Sequence, residues 1–167
     1  MQRSQLGQIG VAAMMVVMTC AGMLLAATPA SKVDQAFVAQ VSQGGLYEVE
    51  AGEVAAMRGT VPAVKDFGRL ESEDHKGVNS ELKRIAGITG VSIAPELNTE
   101  FSQRLAKLKA IPEAQFDSYY IKDMKQIHNN DEGLFAKEAE DGSAAYKRFA
   151  HQTAMLVKAH LGWLNTL

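Results

Sequence analysis

Glu71-Ser-Glu-Asp-His-Lys-Gly-Val-Asn-Ser-Glu-Leu82 decides the fold, because it puts ionisable groups on a helical face that should be apolar. Around it, Val64, Phe67, Glu71, His75, Val78, Leu82 and Ile85 advance in steps of three and four, the period of one helix face. Glu71 and His75 interrupt that stripe, and Asp74 stands beside them. Buried polar groups need partners, so the stretch implies neighbouring helices that supply them. The reading is a polar layer inside a helical bundle.

The flanking chain supplies those helices. Upstream, Val33 to Arg58 lacks proline and repeats Val38, Val41, Gly45, Val49, Gly52 and Ala56 at helical steps. Glycine costs about 1 kcal/mol against alanine in a helix interior, so Gly44, Gly45 and Gly52 imply compensation by close helix packing. Ser31 or Asp34 is placed to cap this helix, and Gly59-Thr60 ends it. Thr60 can cap the second helix, Pro62 suits its first turn, and Thr89-Gly90 closes it. Downstream, Pro95 opens a short amphipathic piece over residues 96–110, with Leu97, Phe101, Leu105 and Leu108 in step. Pro112 starts a third long helix with Phe116, Tyr120, Asp123 or Met124, Ile127, Asp131 and Leu134 on one face. After the turn Asp141-Gly142-Ser143, the last helix aligns Tyr146, Phe149, Thr153, Leu156, His160 and Trp163, and leaves His151 off that stripe. Tight turns make the first and last helix pairs antiparallel, while the long middle connection can cross the bundle. The predicted fold is all-α: a ferritin-like four-helix bundle with a short extra helix between helices 2 and 3.

At 167 residues the chain suits one domain. Net charge is −2 and the basic residues are scattered, which argues against a nucleic-acid partner. The start differs from the rest. Arg3, the apolar run Ile9 to Ala27 and its small-residue ending make residues 1–27 a signal peptide; an uncleaved anchor is the alternative reading. The expected layout is signal peptide 1–27, linker 28–32 and bundle 33–167. Cys20, the sole cysteine, follows Met18-Thr19, a poor context for lipid attachment, and its removal would leave no thiol. The expected location is the periplasm, with outer-membrane association the other option and membrane contact at most peripheral.

Metal binding is the sharper chemical reading of the polar layer. Glu71 and His75 lie four apart, His128 and Glu132 repeat the spacing, and Glu48 or Glu53 can reach in from the first helix. Imidazole and carboxylate suit a divalent zinc, iron, manganese or copper ion. The Glu-x-x-His pairs of di-iron bundles are missing, which argues against a ferroxidase centre. The architectural reading is a hydrogen-bonded core network of Asp74, His75, Asn79, Tyr120, His128 and His160 that fixes helix register. No hydrolase elbow, zinc-protease pair or phosphate loop is present, and no organic cofactor is evident. A third reading uses the glycine-rich first helix to dock a partner helix or a second copy.

Several of these segments together resemble one family. They are Phe37-Val-x-x-Val-x-x-Gly-Gly-Leu-x-Glu48-Val-Glu50, Val64-Lys-x-Phe67, Asp74-His75-x-x-x-Asn79-x-x-Leu82, Phe116-Asp117-x-x-Tyr120, His128-x-x-x-x-x-Leu134-Phe135 and His160-Leu161. The combination, spanning residues 33–164, is similar to the bacterial domain of unknown function 4142 family. That resemblance implies an exported, ferritin-like bundle, often labelled an outer membrane protein, and carries no established activity. Since the remaining chain has neither an apolar span nor alternating strands, the expectation is a soluble or peripherally attached protein, structural or stress-related and non-enzymatic.

Overall fold

The computed structural model describes residues 28–167; the signal-peptide expectation and Cys20 lie outside them. Five helices follow: α1 Lys32–Arg58, α2 Pro62–Thr89, α3 Thr99–Ala110, α4 Glu113–Asp141 and α5 Ala144–Leu164. Among the described residues there is no strand, and no helix is long and apolar enough to cross a membrane.

Local chemistry sets most boundaries. At α1 both expected caps act together. Ser31 Oγ accepts from Asp34 N at 3.1 Å, and Asp34 Oδ2 accepts from Ser31 N at 2.6 Å, a reciprocal capping box. At α2 the expected Thr60 cap is replaced. The cap position is Val61, which makes no side-chain cap bond, and Thr60 instead donates its hydroxyl to Asp117 Oδ2 of α4 at 2.5 Å. Asp117 also accepts from the amides of Thr60 and Val61 at 3.0 and 2.9 Å. An acid 57 residues away thus ties the first turns of α2 and α4 together. Gly90 ends α2 at φ 77°, a left-handed conformation that glycine adopts without strain. α3 begins later than Pro95 suggests, where Asn98 Oδ1 accepts from Phe101 N at 3.0 Å.

The path of α3 makes the topology. Asn98 N donates to Gln43 Oε1, halfway along α1, at 2.6 Å. Arg58, at the end of α1, donates to the carbonyls of Lys109 at 2.7 Å and Ile111 at 2.5 Å. The chain therefore leaves α2 beside the start of α1, climbs along α1 and enters α4 at the far end. Ser143 N, after α4, donates to Asp34 Oδ1 at the start of α1, 2.8 Å away. The long helices run up, down, down and up, with one crossover, the ferritin-like order read from the sequence.

Packing of α1 on α2 is closest at two glycines. A Cβ on Gly52 would lie 2.6 Å from Gly68 O, and one on Gly68 would lie 2.7 Å from Gly52 O. A Cβ on Gly45 would strike Asn79 Oδ1. These two glycines of α1 face α2, so that part of the face is covered within the chain. Gly44 departs from the packing expectation: it is buried, but its Cβ position has nothing within 4 Å.

The apolar core comes in two halves. One gathers Tyr47, Phe67, Leu108, Phe116, Tyr120, Met124 and Leu164. The other gathers Phe37, Leu82, Ile85, Phe135, Tyr146 and Phe149. Between them on every long helix stands a buried ionisable group: Glu48, Glu71 with His75, His128 and His160.

Candidate metal centre

Glu71 and His75 reach this layer because they occupy successive turns of the buried α2 stripe. α4 brings His128 and α5 brings His160, and one ligand atom from each of the four residues lies within 4.8 Å of the others. All four side chains are buried, Glu71 and His128 completely.

Hydrogen bonds fix two of the imidazoles. His128 Nδ1 lies 3.0 Å from the carbonyl of Met124, which can only accept, so Nδ1 carries a proton. His160 Nε2 lies 3.0 Å from Asp74 Oδ2, so Nε2 carries a proton. The other two ring nitrogens, His128 Nε2 and His160 Nδ1, face each other at 3.1 Å. A proton shared between these nitrogens, or a cation bound to both, satisfies the pair. Glu71 completes the group. Its Oε1 lies 3.3 Å from His75 Nε2 and 3.4 Å from His128 Nε2, and its Oε2 lies 2.9 Å from His160 Nδ1.

Those spacings can be compared with a metal shell. Bonds of ~2.0–2.1 Å in a tetrahedral site place neighbouring ligand atoms ~3.4 Å apart. The contacts of 2.9 to 3.4 Å among Glu71, His75, His128 and His160 are close to such edges. Both Glu71 oxygens and both His75 nitrogens are buried without a well-directed hydrogen-bond partner. Unpaired buried polar atoms are costly, and here they converge.

A second ring of carboxylates surrounds the four. Glu48 Oε2 stands 3.0 Å from His75 Nδ1, and Glu48 Oε1 is 3.7 Å from His128 Nδ1. Burial opposes charge on His75, but Glu48 and Glu71 outweigh it and hold the imidazole up at about 9. Burial likewise opposes charge on Glu48, and His75, His128 and His160 outweigh it, holding the carboxyl at about 2. Asp131 goes the other way: burial and the neighbouring Glu48 push it up to about 8. His160 is raised despite its burial, through Glu71 and Asp74.

The sequence expectations sort as follows. Glu71, His75 and His128 converge. Glu132 does not: it is half-buried and outside the cluster, and Asp131 is the α4 acid beside Glu48. Helical spacing from His128 permits either acid, and the rotation of α4 selects Asp131. His160, expected only in the core network, is a full member of the candidate ligand set. Of the other network residues, Asp74 holds His160. Asn79 and Tyr120 do not join: the Asn79 Oδ1 and Tyr120 hydroxyl have no hydrogen-bond partner, Asn79 packs on Gly45 and Tyr120 stacks on Phe116. From α1 it is Glu48 that points inward, while Glu53 is exposed and paired with Lys76 at 2.9 Å.

The chain matches the domain of unknown function family DUF4142 over residues 21–167 and belongs to it. No curated relative matches the chain. Among solved structures it is similar to a DUF305 fragment from Deinococcus radiodurans, with a TM-score of 0.71 and 15% identity, covering 83% of this chain and 99% of that one. At that identity the likeness concerns the fold.

Proposed function

We propose that this bundle binds one divalent transition-metal ion through Glu71, His75, His128 and His160, and that it holds or buffers the metal instead of turning over a substrate. The observation that carries the reading is the convergence of four buried ligand atoms, from Glu71, His75, His128 and His160, within 4.8 Å of one another, with His128 and His160 oriented by Met124 O and Asp74. Acceptors behind the ligating rings are the usual outer support of metal-bound histidines, since they fix the tautomer and raise basicity. Three imidazoles and one carboxylate suit zinc, iron, manganese or copper and disfavour calcium or magnesium, which take oxygen ligands. Residues 1–27, read as an export signal, would put this capacity in the cell envelope.

The same groups can also be held together by protons alone, with a charged His75 between Glu48 and Glu71. Elemental analysis and calorimetric titration with zinc and cobalt separate the two readings. Binding of about one equivalent, lost in both Glu71→Gln and His160→Ala while helicity is retained, is the expected result. No binding by the folded wild-type protein would leave only the proton-linked architectural network.

A further inference from the structure

Outside the metal layer, a groove lies between α1, α3 and α4, with a volume of about 580 Å³. Its lining includes Gln43, Gly44, Asn98, Arg104, Asn130 and Asp131. Deeper in the bundle a second space of about 10 Å³, room for roughly one water, is lined by Gly44, Glu48, His75 and Asp131, among others. Gly44 and Asp131 line both spaces. The outer groove and the inner space thus share these two residues as walls, and the inner one is also lined by His75.

Gly44 is the informative residue. Unlike Gly45 and Gly52, it accommodates no neighbour, since nothing lies within 4 Å of its Cβ position. A buried glycine beside open space keeps a passage clear. Across the gap Asp131 and then Glu48 supply oxygen ligands in sequence, a chemistry that strips water from a cation in steps before imidazole binds it.

We infer that the groove between α1, α3 and α4 is the route by which a divalent cation reaches and leaves the buried site, with Gly44 as its clear wall and Asp131 as its inner carboxylate. This rests on the metal-binding reading above. A competing route exists on the opposite side, where Asp74, partly exposed, touches His160 at 3.0 Å.

The test is stopped-flow exchange on the purified protein: zinc uptake by the metal-free form, and zinc release into excess chelator. Gly44→Leu fills the passage, Gly44→Ala tests the backbone alone, and Gly77→Leu is a control at an exposed α2 glycine that also has nothing within 4 Å. Uptake and release in Gly44→Leu should both slow at least tenfold with the dissociation constant changed less than twofold. Gly44→Ala and Gly77→Leu should exchange like wild type, and Asp131→Asn should slow uptake. Wild-type rates in a folded Gly44→Leu, or slowing by Asp74→Asn alone, would overturn the route while leaving the metal site standing. A wild-type protein that binds no zinc would remove both.

Discussion

Tyr47 and Glu48 are neighbours on α1, yet they enter two buried polar groups whose accounts differ. The Tyr47 hydroxyl donates to Asp123 Oδ2 at 2.5 Å, and Arg104 Nε donates to Asp123 Oδ1 at 3.0 Å. The Arg104 guanidinium also lies over the Tyr47 ring, 5.4 Å from its centroid. One cation, one anion and one hydroxyl satisfy one another, and α1, α3 and α4 are pinned together. One residue further along, Glu48 enters a group with several acids, three imidazoles and buried atoms that lack partners. A polar group buried for architecture closes its hydrogen bonds, whereas the group around Glu48 brings buried polar atoms together without closing them.

The largest effect expected from breaking this contrast is at the closed group. Asp123→Ala strands Arg104 and the Tyr47 hydroxyl, and should cost about 3–5 kcal/mol in urea unfolding. That loss should be the same with and without zinc; a zinc-dependent loss would mean that the two groups are one. The open group should respond in the opposite manner. With free zinc at about 100 times its dissociation constant, wild type should gain about 2.7 kcal/mol, and His160→Ala should gain nothing in the same melt.

Acidity sharpens the comparison further. His75 is raised from 6.5 to about 9, so its contribution is complete below 6.5 and is lost as pH rises through 9. Asp131, an acid raised from 3.8 to about 8, acts in the same direction, because the folded chain keeps a proton that the unfolded chain releases. The metal-free protein should therefore lose on the order of 2 kcal/mol between pH 6.5 and 9, followed by denaturant titration. Zinc affinity should rise over the same interval, because His75 must shed its proton to ligate. Parallel trends in stability and affinity would sink this account. The smallest effect belongs to the outer support: Asp74→Asn should weaken zinc about tenfold, near 1.4 kcal/mol, by removing the carboxylate that holds His160 in its tautomer.

Much of the fold was legible in the sequence because its signals are local. Apolar periods gave the helices, and the capping box of Ser31 and Asp34 lies within one turn. The cap of α2 was misread because its acceptor, Asp117, is brought by tertiary structure. The site was legible in part for the same reason. Helical spacing places Glu71 and His75 on one face, but choosing Asp131 over Glu132 requires the rotation of α4. Promoting His160 from core residue to candidate ligand requires the axial register of α5 on α2, which no spacing within α5 contains. Gly44 resembles its neighbour Gly45 in sequence, and only tertiary packing, which sets Asn79 of α2 against Gly45, distinguishes the open position from the packed one.

The crossover made by α3 also sets the field at the centre. With the order up, down, down, up, and with α1 against α2 and α4, and α5 against α2 and α4, every adjacent pair of long helices is antiparallel. Their macrodipoles oppose one another, and each dipole is felt mainly within its terminal turn. Glu48, His75 and His128 lie more than two turns from any helix end. Only His160 sits about one turn from an end, the C-terminal one, whose partial negative charge favours a cation. The charge that the centre can hold is thus governed by its side chains, and the balance between acids and imidazoles sets how strongly it attracts an ion.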